Sequence, residues 1–144
     1  LEKSLGAAAK GGSAPLVDVY KFAEPVDKKG FVFMDSPGFD PCSVTGQIAS
    51  GANIIVFTTG RGSVSGYMPT PCIKLATNSE MYGRMSEDMD INCGDVISDN
   101  VSLETKGEEI FERIVAVASG GKSKSEELGF GGVEFVPWQI GAVM

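Results

Sequence analysis

With 144 residues, 42% of them hydrophobic and 22% charged, the chain has the size and composition of one globular domain, which excludes a disordered or fibrous protein. Its formal charge of −7 and scattered basic residues argue against nucleic acid and anionic membrane as partners. No apolar run approaches the ~18 residues that span a bilayer.

The chain has no histidine, which removes Ser–His pairs, Cys–His pairs and imidazole metal ligands from its own chemistry. Cys42, Cys72 and Cys93 are odd in number and widely spaced, so no disulfide framework is implied and a reducing cytoplasm is expected. All three read as small buried hydrophobes, with Cys42 near a helix N-terminus. No signal-peptide pattern opens the chain. Leu1-Glu2-Lys3 is followed by small residues over 6–14, so 1–15 is expected to be a lead-in to a single domain over 16–144, cut from a longer protein.

In chain order, residues 16–20 read as a short strand or helical turn, and 31–34 as a strand apolar on both faces. Asp40-Pro41 has the form of an N-cap followed by proline at the first helical position. The helix it starts would run to about Ser50 and bury Val44, Ile48 and Ala52. A fully buried strand over 54–58 follows, so 31–58 is expected to form one βαβ unit with a right-handed crossover. A third strand, alternating on one side, is predicted over 73–76. Thr77 with Glu80 has capping-box spacing for a helix over 79–87, and Met81, Met85 and Met89 form a core stripe. A short edge segment is expected over 88–97. Ser102 caps a long helix over 103–119 whose apolar positions are Leu103, Ile110, Phe111, Ile114, Val117 and Ala118. A short helix ends at Gly129, and an edge strand over 133–138 completes the chain. The alternation predicts an α/β domain of three layers, a mostly parallel sheet with helices on both faces, Rossmann-like.

The sharpest local feature is Thr58-Thr59-Gly60-Arg61-Gly62-Ser63, placed where the buried strand ends. Ligands of α/β proteins sit at the carboxyl ends of strands. The glycines let backbone amides turn inward on an anion. The hydroxyls of Thr58, Thr59 and Ser63 suit sugar hydroxyls or carboxylate oxygens, and Arg61 offers a fork that matches a carboxylate. The spacing is neither that of a P-loop nor GxGxxG. The alternative is a tight turn with a solvated arginine. Asp35 and Ser36 end the preceding predicted strand and would lie beside this loop, with turn-capping as the plainer role for Asp35. Asp40 is better explained by the helix start. Lys74, inside an otherwise apolar strand, either snorkels at an edge or points into a pocket. Asn78 is either a site contact or part of a helix cap. Asp88, Asp90 and Asn92 match an EF-hand only in part, because Gly94 comes one residue late and no glutamate follows at the required place.

The run Phe57-Thr58-Thr59-Gly60-Arg61-Gly62-Ser63, then Pro69 and Ile73-Lys74-Leu75-Ala76-Thr77-Asn78-Ser79, resembles the C-terminal region of the altronate and galactarate dehydratases. Leu1-Glu2-Lys3-Ser4-Leu5-Gly6, Met89-Asp90-Ile91-Asn92-Cys93-Gly94 and Ala118-Ser119-Gly120 extend the resemblance over nearly the whole chain. It implies a cytoplasmic hydro-lyase acting on a sugar acid, which removes the proton beside the carboxylate and expels the β-hydroxyl to leave a 2-keto-3-deoxy acid. It also implies a divalent metal, iron or manganese, with ligands outside this chain, and further domains of the same polypeptide before this one, with assembly as a homo-oligomer open. Ser36-Pro37-Gly38-Phe39-Asp40-Pro41 and Val136-Pro137-Trp138 depart from the altronate enzymes, which leaves the particular acid open and sulfolactate sulfo-lyase as a related activity. A non-catalytic domain for packing and oligomerisation is the alternative from a different class.

Overall fold

A computed structural model describes residues 1–137, with Lys3 and Ala7 described by backbone alone. Five short strands form two parallel sheets. β1 (Leu16–Tyr20) pairs with β2 (Phe31–Met34), and β3 (Ile55–Thr59), β4 (Cys72–Ala76) and β5 (Ile91–Asn92) form a second sheet in the order β3-β4-β5. Every residue of β4 is buried, because it is the central strand and carries a helical layer on each face. Ile73 and Leu75 pack with Ile91 against Ile110, Ile114 and Val117 of α5 (Leu103–Ala118). On the opposite face, Cys72 and Ile55 pack with Tyr67 against Val44 and Ile48 of α2 (Asp40–Ala49). Ala76 meets Met81 and Met89, with Met85 alongside, so the methionine stripe is core. Each such buried aliphatic side chain contributes about 1.5–3 kcal/mol. The result is the α/β class expected.

The register fixes where the site can form. Thr59 lies opposite Ala76, and Ala76 opposite Asn92, so the three strands end side by side. The segments that follow them, 60–63, 77–78 and 93–94, share one rim.

Several elements differ from expectation. Within the lead-in, residues 2–9 form a helix, α1 (Glu2–Ala9), as the alanine run favours. The 31–58 segment does not make one βαβ unit within one sheet, since β2 pairs with β1 and β3 pairs with β4. β3 is an edge strand and not fully buried; Val56 is 40% exposed because α5 covers β4 and β5 only. β4 does not alternate, for the reason given above. Asp40 is the first residue of α2 and Phe39 its N-cap, without a side-chain cap bond. Asp40 therefore serves as a first-turn carboxylate that favours the helix dipole. On α5, Leu103, Phe111 and Ala118 face outward, while Ile110, Ile114 and Val117 reach the core. The segment after β5 turns into a short helix, α4 (Asp95–Ser98). Ser102 caps α5 as expected, and Ser123 starts α6 (Lys124–Leu128) with a full capping box. Residues 133–137 are not a strand; the Val136 amide donates to Thr45 Oγ1 at 2.8 Å instead. Trp138, the last residue of that expected strand, lies outside the described residues.

Candidate functional site

The carboxyl end of β3 continues directly into the 58–63 loop. Thr59 Oγ1 accepts from the amides of Arg61 and Gly62, at 3.3 and 3.2 Å, and so folds the loop back on its own strand. Those two amides are thereby committed within the loop, and recognition falls to side chains. Gly62 has φ +94°, and a Cβ there would lie 2.1 Å from Met85 Sδ. Only glycine lets the loop pass this close to the methionine stripe. Ser63 Oγ donates to Ser65 Oγ at 2.9 Å. The Arg61 guanidinium is exposed, and among the described residues it has no ion pair or hydrogen bond. Thr58 is exposed near the end of β3.

The next turn along the rim holds this loop. Thr77 donates through its amide and through Oγ1 to the Thr59 carbonyl, at 3.0 and 3.2 Å. Asn78 Nδ2 donates to the Gly60 carbonyl at 2.9 Å, while Asn78 Oδ1 accepts from the Met81 amide at 2.8 Å. Asn78, not Thr77, is therefore the N-cap of α3 (Ser79–Arg84), which is shorter than predicted. Thr77 is left free to bond the strand end. The third turn lies close against the second: a Cβ on Gly94 would sit 2.1 Å from the Ser79 nitrogen and 2.4 Å from the Asn78 carbonyl carbon. Asn92 Oδ1 accepts from the Gly94 amide at 2.9 Å, and Asn92 Nδ2 donates to Ser79 Oγ at 3.1 Å.

The other candidates lie elsewhere. Ser36 bonds Ser43 at 2.8 Å and lines an apolar cleft of about 580 Å³ between β2 and the end of α2, which no residue of the 58–63 loop lines. Asp35 is exposed at the end of β2, its amide donating to the Tyr20 carbonyl at 2.9 Å. Lys74 does not snorkel. It is 0% exposed in the central strand, and its Nζ has no hydrogen-bond partner among the described residues. Burial lowers the pKa of its ammonium, against the nearby charges of Cys72, Asp90 and Asp88. Burial likewise pushes the Cys72 thiol and the Tyr67 phenol each up to about 12, which keeps both protonated and rules Cys72 out as a nucleophile.

Three ion pairs that the sequence did not reveal brace the fold. The Asp90 carboxylate, wholly buried, accepts from Arg113 Nη2 at 2.9 Å and from the amides of Lys74 and Lys124 at 2.8 and 3.1 Å. It is thus a strut and not part of a calcium loop. Lys106 is buried between Asp95 and Glu109; burial opposes its charge, but the two carboxylates prevail and raise its pKa. Among the described residues no group of three or more Cys, Asp or Glu side chains is placed to hold a metal. The rim can therefore offer a cation and hydroxyls to an oxygen-rich anion.

Residues 1–143 match the family model described as D-galactarate/altronate dehydratase, C-terminal. The galactarate dehydratase (L-threo-forming) of Escherichia coli K12 is 39% identical over 122 residues, 85% of this chain and 23% of that protein. The altronate dehydratase of Bacillus subtilis 168 is 37% identical over 119 residues, 83% of this chain and 24% of that protein. The β subunit of (2R)-sulfolactate sulfo-lyase from Chromohalobacter salexigens is 35% identical over 129 residues, 89% of this chain and 33% of that protein. The chain thus spans between about a quarter and a third of the length of these relatives. It belongs to the C-terminal family of the D-galactarate and altronate dehydratases.

Proposed function

We propose that this domain supplies the carboxylate and hydroxyl contacts of a hydro-lyase that dehydrates a sugar acid of the galactarate or altronate type. The observation that carries the reading is Arg61. An exposed guanidinium without a partner among the described residues stands at the carboxyl end of a parallel sheet, on a loop tied in place from both sides. In a protein of charge −7, a cation left unpaired on such a rim suits an incoming anion. A sugar acid offers a carboxylate for the Arg61 fork and hydroxyls for Thr58 and its neighbours. Dehydration takes the proton from the carbon beside the carboxylate and breaks the neighbouring carbon–oxygen bond. Hydroxide and the proton leave as water, and the enol left behind tautomerises to the 2-keto-3-deoxy acid. Binding the carboxylate orients the carbon acid and offsets charge that grows on it as the proton leaves.

On this reading the ligands of an iron or manganese ion and the base come from other parts of the polypeptide; among the described residues no group of three or more Cys, Asp or Glu side chains is placed to hold a metal. In this reading the remaining domains of the same polypeptide complete the site, in the cytoplasm, and pack on apolar side chains left exposed such as Phe33 and Phe111. No helix among the described residues is long and apolar enough to cross a membrane. The test is to assay the protein at full length, with divalent metal, against galactarate and altronate. Formation of a 2-keto-3-deoxy acid is expected, and the 144-residue chain alone is expected to be inactive. Absence of turnover of either acid by the metal-loaded full-length protein would refute the reading.

A further inference from the structure

Asn78 joins the 58–63 loop to the start of α3. Its Nδ2 holds the Gly60 carbonyl, the residue immediately before Arg61, and its Oδ1 caps α3 through the Met81 amide. Thr77 fixes the neighbouring Thr59 carbonyl, which belongs to the strand. Gly60 is therefore the first residue beyond regular pairing, and the Asn78 amide is the side chain that holds it. The remaining bonds of the loop are local: the Arg61 and Gly62 amides donate to Thr59 Oγ1, and Ser63 Oγ donates to Ser65 Oγ. They shape the turn but do not aim it. Gly94 then limits Asn78 from behind, because the backbone of residues 78–79 lies against Gly94 with no room for a Cβ.

We propose that Asn78 is a positioning residue that aims Arg61 at the substrate carboxylate by tethering the Gly60 carbonyl to the capped start of α3. The proposal rests on the reading of the 58–63 loop as the carboxylate site. It accounts for asparagine in place of aspartate at this position: a cap requires only an acceptor, which Asp also supplies, whereas the tether requires a donor on the same short side chain as well.

Asn78→Asp separates the two roles. Aspartate still caps α3, and its charge is favourable at a helix N-terminus. It offers no donor to the Gly60 carbonyl, and instead sets an oxygen against it. Two measurements read the consequence. In the 144-residue chain, amide hydrogen exchange over 60–63 should quicken about tenfold in Asn78→Asp, with the Met81 amide still protected. In the full-length protein, the same change should raise KM for the sugar acid about tenfold, with a smaller effect on kcat. In an Arg61→Ala background it should add nothing, because there is no longer a side chain to aim. Asn78→Ala, which loses cap and tether together, should show the quickened exchange over 60–63 and an exposed Met81 amide as well.

Unchanged exchange over 60–63 in Asn78→Asp would overturn the tether. A KM effect that persists in full on the Arg61→Ala background would overturn the claim that Asn78 acts through Arg61. If exchange quickens as expected but Arg61→Ala leaves KM unaltered, the tether stands and the carboxylate-site reading fails.

Discussion

Arg113 Nη2 stands 2.9 Å from Asp90 Oδ1, and the Asp90 side chain has no exposed surface. Two backbone amides complete its coordination, so one carboxylate ties β4, α5 and the start of α6 together. Arg113→Met keeps much of the aliphatic stem and strands the carboxylate. The expected loss is about 3–5 kcal/mol, the usual consequence of leaving a buried charge without its partner. Urea denaturation checks it; a loss under about 1 kcal/mol would show that the two amides suffice.

Lys74 presents the opposite case, a buried cation with no partner for its Nζ among the described residues. Lys74→Met keeps nearly the same volume and removes the orphaned group, so stability at neutral pH should rise by about 1–3 kcal/mol. The pH dependence has a definite sign. The native pKa is lowered, so the unfolded chain binds more protons, and Lys74 makes stability rise with pH until the ordinary lysine pKa of ~10.4 is passed. Subtracting the variant's denaturation curve from that of the parent should show this rise. A flat difference would mean that Lys74 has found a partner.

Cys72 and Tyr67 work the other way. Both groups have native pKa values raised to about 12, from 9.0 and 10.0, so the folded state keeps protons that the unfolded chain has lost. Their contribution is intact below pH ~9 and is lost as pH rises toward 12. Cys72→Ala should flatten the first part of that decline at a cost in packing, as followed by thermal melts between pH 8 and 10.

Lys74 also marks the limit of what could be read beforehand. The α/β class, α2, α5, α6 and the methionine core were legible, because hydrophobic period and capping residues are local signals. Strand pairing was not local. Nothing in 31–34 shows that it pairs with 16–20 rather than 55–59, so the expected βαβ unit came apart. The same gap hid Lys74, whose burial follows only from β4 being central. On α5, periodicity marked a stripe wider than the face the sheet covers, which left Leu103 and Phe111 outside. At the rim, the 58–63 loop stood out by composition. Its tether did not, because Thr77 and Asn78 are adjacent residues that can both cap, and only the geometry tells which one does.

Gly94 tests the rim as a structural unit. Its missing Cβ is the space that the backbone of residues 78–79 occupies, at 2.1 Å from the Ser79 nitrogen. Gly94→Ala has to displace backbone, not a flexible side chain. The expected cost is about 3 kcal/mol or failure to fold, read by denaturation and by loss of protection at the Met81 amide. A variant of parental stability would mean that the turns are looser than they lie here.

The central claim is that Arg61 binds the carboxylate of a sugar acid, and kcat/KM of the full-length protein carrying Arg61→Ala tests it most directly. Losing a charge-assisted fork should lower kcat/KM by about 30- to 150-fold, from about 2–3 kcal/mol. Arg61→Lys should recover only part, since a lysine offers a point charge in place of a fork. Parental kcat/KM in Arg61→Ala, with galactarate and with altronate, would contradict the account.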